Sequence, residues 1–173
     1  MAACPIWRYP LLSIEKYARF EPWRNVMYAN RRQGSPLDSI LVRLIIANAV
    51  VFFIQMMPFS RSFMGYLLLS PRLVVTRGYV WQLVTYMFLH ADLPHLAVNM
   101  FIIWMFGRTL EKLWGGPRFL RFYFACGLGG AIFSFIFAFN TTVLGASAAA
   151  MGILLAFAIL FPNQQLLLWF VIP

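Results

Sequence analysis

The chain has 173 residues, 62% of them hydrophobic and 18% aromatic, with only 11% charged and a mean hydropathy of +0.75. Soluble domains carry about 25% charged residues, so the composition excludes that class and indicates a polytopic membrane protein. The formal net charge of +9 does not point to nucleic acid, because the cations are sorted along the chain between apolar runs instead of forming one phosphate-binding patch.

Residues 1–38 are basic and aromatic, with Arg8, Lys16, Arg19, Arg24, Arg31 and Arg32, and close in the turn chemistry of Gly34-Ser35-Pro36. They read as a cytoplasmic tail. Residues 6–20, with Trp, Tyr and Leu among cations, suit the membrane surface, and Pro5 and Pro10 interrupt any signal-peptide core. Cys4 and Cys126 fall in different environments, so no disulfide framework is expected.

A first span is predicted over 39–57, with Arg43 close enough to its inner end to snorkel. The connection 58–92, punctuated by Pro58, Pro71 and Gly78, is long enough to carry function or short helices of its own. A second span starts near Leu93, where Asp92 can cap and Pro94 falls in the first turn, and it returns by 107–114. Pro117 opens a third span through Phe139, in which Gly127, Gly129 and Gly130 permit close helix contact. After an uncharged turn at Asn140-Thr141-Thr142, a fourth span covers 147–161.

The apolar stretch 166–172 is too short to cross and reads as the start of a fifth span. Arg108, Lys112, Arg118 and Arg121 flank the turn between the second and third spans. With the basic tail, they put the N-terminus in the cytoplasm by the positive-inside rule. The expected fold is therefore all-α, a polytopic membrane helix bundle. It has a tail at 1–38 and a transmembrane domain at 39–173, with four complete transmembrane helices and an incomplete C-terminus.

In this topology His95 and Asn99 lie near the outer end of the second span and Ser147 near the outer end of the fourth. Residues four apart share a helix face, so His95 and Asn99 can line one cavity with Ser147. Serine needs a base to remove its proton, and the tetrahedral oxyanion needs preorganised donors. Asn99, His95 and the first amides of the fourth helix can supply the donors. Taken singly, a serine among Gly145, Ala146, Ala148 and Ala149 is a packing residue and an intramembrane asparagine is interhelical glue. Their joint placement favours chemistry. His90, Asp92 and His95 crowd a helix start without any usual zinc spacing, so neither metal nor cofactor is expected.

These residues resemble the rhomboid family of intramembrane serine proteases. Trp81-Gln82-Leu83-Val84-Thr85-Tyr86-Met87-Phe88-Leu89-His90 followed by His95-Leu96-Ala97-Val98-Asn99-Met100 looks like its first-loop and second-helix signature. Residues 107–123, with Glu111, Gly116 and Arg118, look like its second junction, and Gly145-Ala146-Ser147 with Gly152 like its nucleophile motif. The resemblance covers roughly 39–173. It implies Ser147 as nucleophile, His95 and Asn99 as oxyanion stabilisers, His90 as a structural histidine, and 58–92 as a membrane-embedded loop.

Three departures stand out. Ala148 replaces the glycine usual after the serine, a change expected to narrow the site. Gln82 stands where the family has the arginine of a Trp-Arg pair, which is expected to weaken any loop salt bridge. The family's general base is a histidine on a sixth helix, whereas the two histidines here precede the serine.

The expectation is an intramembrane serine endopeptidase in a bacterial inner membrane, with transmembrane protein substrates and membrane lipids as partners. Its base is expected beyond residue 173, so that this stretch alone is inactive. The rival from another class is a catalytically silent rhomboid-like protein that binds transmembrane helices. A transporter is disfavoured because the spans lack acidic residues apart from Glu111 near the inside.

Overall fold

The computed structural model describes residues 39–162. The basic tail and the stretch 166–172 lie outside these residues. Among the described residues all regular structure is helical: α1 (Ile40–Met56), α2 (Arg61–Leu67), α3 (Pro71–Arg77), α4 (Gln82–Thr85), α5 (Leu93–Trp114), α6 (Gly116–Phe137) and α7 (Ser147–Leu160). Short 3-10 turns occupy Pro58–Ser60 and Tyr86–Phe88.

Local chemistry sets the helix starts. Ser39 caps α1, its hydroxyl accepting the Val42 amide at 3.3 Å, and Asp92 caps α5, its carboxylate accepting the His95 amide at 2.7 Å. Pro94 and Pro117 sit in first turns, where a missing N–H is harmless. At the junction of α5 and α6, Gly115 adopts φ +81, and a Cβ there would meet nothing within 4 Å. Conformation alone therefore selects glycine at this position.

α5 is central and touches α1, α6 and α7, while α7 also packs on α6. The core gathers Leu41 and Leu44 from α1, Ile103, Phe106 and Leu110 from α5, Phe119 and Tyr123 from α6 and Ile153 from α7. The helices approach closely at Gly107, where a Cβ would lie 2.5 Å from Leu41 Cδ1 and 3.1 Å from Phe119 Cζ. Outward faces are apolar, including Phe101 and Trp104 on α5, Phe133 and Phe137 on α6 and Leu155 and Ile159 on α7.

By length and apolarity α6, with 22 residues, can cross a bilayer by itself. A second span is possible if Gln82–Phe88 and Leu93–Trp114, bent by 97°, count as one. α1 and α7 are shorter apolar helices of 17 and 14 residues. The connection 58–92 holds three short helices and two 3-10 turns, as its length suggested.

Candidate active site

The first two candidate side chains come from the N-terminal end of α5. The His95 ring is half-buried, and its Nδ1 accepts the Ala91 amide in a long bond of 3.5 Å. That acceptor role assigns the proton of the neutral ring to Nε2. Asn99, one turn further, is buried, and its Nδ2 has no hydrogen-bond partner.

Both side chains converge on Gly145. A Cβ on that glycine would lie 2.8 Å from His95 Cε1, 2.9 Å from His95 Nε2 and 3.8 Å from Asn99 Nδ2. Gly145 also has φ +116, a region that side chains rarely adopt. Space and backbone conformation therefore both demand glycine at the point where the chain passes the two donors. Two residues on, Ser147 opens α7 with its side chain exposed, and no side-chain cap covers that helix start.

The segment leading to Ser147 is held by its backbone. Val143 exchanges two hydrogen bonds with Leu69, its amide donating at 2.8 Å and its carbonyl accepting at 3.1 Å. The Gly145 amide donates to the Tyr86 carbonyl at 2.9 Å. Tyr86 in turn reaches α6, where its hydroxyl donates to the Gly127 carbonyl at 2.6 Å.

His90 is only 1% exposed. Its ring meets that of His95 edge-on at 5.3 Å between centroids, and neither ring nitrogen makes a hydrogen bond of good geometry. Burial, reinforced by the nearby His95, pushes this imidazole down to about 4. Gln55 clamps the His90 backbone from α1, accepting its amide and donating to its carbonyl, each at 3.0 Å.

The substitution at Gln82 does not leave the loop unfastened. This buried amide accepts the Ser70 N–H at 3.0 Å and donates to the carbonyls of Tyr66 at 3.2 Å and Gly65 at 3.4 Å. Trp81 Nε1 adds a bond to Tyr66 O at 2.7 Å and Thr85 Oγ1 one to Leu67 O at 2.8 Å. A neutral staple stands where the resemblance implied only a weakened salt bridge. The Ala148 methyl, expected to narrow the site, meets α6 at Gly130.

Sequence reasoning singled out His95, Asn99 and Ser147 but missed Gln55 and Tyr86. A glutamine near the C-terminal end of a mostly apolar helix was a signal for the first. Tyr86 acts through its backbone carbonyl as well as its hydroxyl, and no residue-type pattern reports the carbonyl.

A family model described as Rhomboid domain matches residues 77–173, more than half of the chain. The chain belongs to the rhomboid family. It is 38% identical over 81 residues to "Rhomboid protease GluP" of Bacillus subtilis, covering 47% of this chain and 16% of that protein. It is 30% identical over 142 residues to "Rhomboid protein 1, mitochondrial" of Saccharomyces cerevisiae, covering 78% and 40%. Over 176 residues it is 29% identical to "RHOMBOID-like protein 12, mitochondrial" of Arabidopsis thaliana, covering 91% and 52%. The chain thus spans about half, or less, of the length of these relatives. Membership in the rhomboid family supports an integral membrane protein.

Proposed function

We propose that the protein is an intramembrane serine endopeptidase of rhomboid type that cuts transmembrane segments of other membrane proteins near their outer ends. Ser147 is the nucleophile, and His95 and Asn99 stabilise the oxyanion. The observation that carries this reading is the Asn99 amide, a buried donor without a partner beside Gly145. Leaving such a group unpaired costs about 1–3 kcal/mol, and a carbonyl oxygen turning into an oxyanion is the acceptor that relieves it. His95 adds Nε2–H from the same side, and the uncapped start of α7 adds free amides and a favourable dipole.

In the reaction Ser147 Oγ adds to the scissile carbonyl carbon while its proton passes to a general base, and collapse of the adduct returns that proton to the leaving amine. His95 is committed at both nitrogens, and His90, with its pKa near 4, is a poor base at neutral pH. We therefore assign the base to a histidine outside these 173 residues, as the rhomboid resemblance implies.

For topology we propose that α1, α5, α6 and α7 are four spans. On α5, His95 lies at one end and the exposed Arg108 and Lys112 at the other. His95 and Lys112 are about 26 Å apart at a rise of ~1.5 Å per residue. The basic end faces the cytoplasm and the Ser147 end faces outward, among membrane lipids.

The test is cleavage of a single-span reporter in proteoliposomes. Ser147→Ala abolishes cleavage, and Asn99→Ala lowers turnover by about 10²–10³. An unchanged rate in Ser147→Ala reduces Ser147 to a packing residue. Capture of the reporter without cleavage by the parent protein favours the rival, a silent rhomboid-like helix binder.

A further inference from the structure

α6 presents Gly127 to Tyr86 and Met87 and Gly130 to the segment that carries Ser147. At Gly127 the carbonyl takes the Tyr86 hydroxyl, and the Met87 side chain occupies the place a Cβ would fill. One turn along, a Cβ on Gly130 would run into the Ala148 methyl and come within 3.1 Å of the Tyr86 hydroxyl and 3.9 Å of Ala148 Cα. Ala148 follows Ser147 directly, and Tyr86 O holds the Gly145 amide two residues before it at 2.9 Å. The chain on both sides of Ser147 is thus referenced to one spot on α6.

We propose that Gly130 is a positioning residue for Ser147, size-matched to Ala148, so that the missing side chain on α6 accommodates the methyl beside the nucleophile. The inference rests on the reading of Ser147 as nucleophile. Its physical basis is that packed interiors transmit displacement. Adding a methyl at Gly130 pushes Ala148, and Ser147 with it, away from the donors on α5. A displacement near 1 Å at a reacting atom lowers rate by about 10²-fold. Substrate binding, made elsewhere along a spanning helix, changes little.

The experiment compares Gly130→Ala, Ala148→Gly and the double variant in the membrane-embedded protein. It reads kcat and KM on the spanning reporter and the thermal midpoint. We expect Gly130→Ala to lose roughly tenfold to a hundredfold in kcat with KM within about twofold, and the double variant to recover to within about threefold of the parent. Unchanged kcat in Gly130→Ala, a double variant no better than the single, or a loss that follows only the fraction unfolded would each overturn the proposal. If Gly130→Ala does not fold, Ala148→Gly carries the test, since it removes only a methyl. A severalfold fall in kcat at unchanged KM supports the proposal, and no change overturns it.

An arm independent of catalysis uses Ser147→Cys and the rate of its reaction with a small methanethiosulfonate. Gly130→Ala should shift that rate and the added Ala148→Gly should restore it, even if the parent cuts nothing. A rate indifferent to both substitutions overturns the positioning role, whereas absent cleavage alongside the expected shift overturns only the protease reading.

Discussion

Glu111, near the end of α5, caps the start of α1 across the bundle together with Ser39. Its carboxylate accepts the Ser39 hydroxyl at 2.6 Å, the Ile40 amide at 2.7 Å and the Leu41 amide at 3.3 Å. The first turn of α1 has no acidic residue of its own, so the charge that its free amides and dipole favour is supplied by another helix. This is the one acidic side chain in the spans that sequence reasoning noted, and its partners lie about 70 residues away.

Removing that carboxylate is predicted to destabilise the fold without touching the Ser147 end. Glu111→Gln should lower stability by about 1–2 kcal/mol, as it weakens charge-assisted bonds, and Glu111→Ala by more. Thermal midpoints in detergent read the effect. Equal midpoints for parent and Glu111→Ala would show that water replaces the carboxylate at no loss.

Gln82 gives a prediction about kind of side chain. Its amide both accepts and donates, whereas a guanidinium has donors only. Gln82→Arg therefore restores the family's usual residue yet strands the buried Ser70 N–H, at about 1–3 kcal/mol. Limited proteolysis within 65–82 should speed up in this variant as much as in Gln82→Ala. An arginine variant as resistant as the parent would sink the argument.

His90 predicts a pH dependence of stability. In the connection before α5 its pKa is held near 4, against an ordinary 6.5, first by burial and then by His95. Between those values the unfolded chain binds more protons than the folded one, so stability falls as pH drops from about 6.5 to 4 and is unaffected by this group above about 7. Thermal midpoints measured across that window should decline, and the decline should shrink in His90→Gln. An equal decline in both proteins would assign the effect to other groups.

The fourth prediction concerns the 173-residue stretch made alone. On the proposed reading His95 serves as donor and acceptor, and His90, with its pKa near 4, is a poor base, so a fluorophosphonate should not label Ser147 at a useful rate. Robust labelling abolished by His95→Ala would show that His95 is the base.

The helix limits were legible because local chemistry sets them. Asp92 with Pro94, and Pro117 after a glycine pair, mark helix starts, and the observed α5 and α6 begin at Leu93 and Gly116. The spacing of His95 and Asn99 likewise follows from helix period alone. What could not be read is contact across the fold. That Gly145 passes beside these side chains, that Gln82 is saturated by loop backbone, and that Ala148 finds Gly130 are all products of helix packing, and a single sequence does not specify its register.

The reciprocal backbone pairing of Leu69 with Val143 has a consequence for how this protein can change over time. Because the two bonds use only main-chain atoms, the exposed side chains of the connection 58–92 can vary while its tether to the Ser147 segment persists. The connection is free to acquire new side-chain chemistry without loosening the backbone that leads into Ser147.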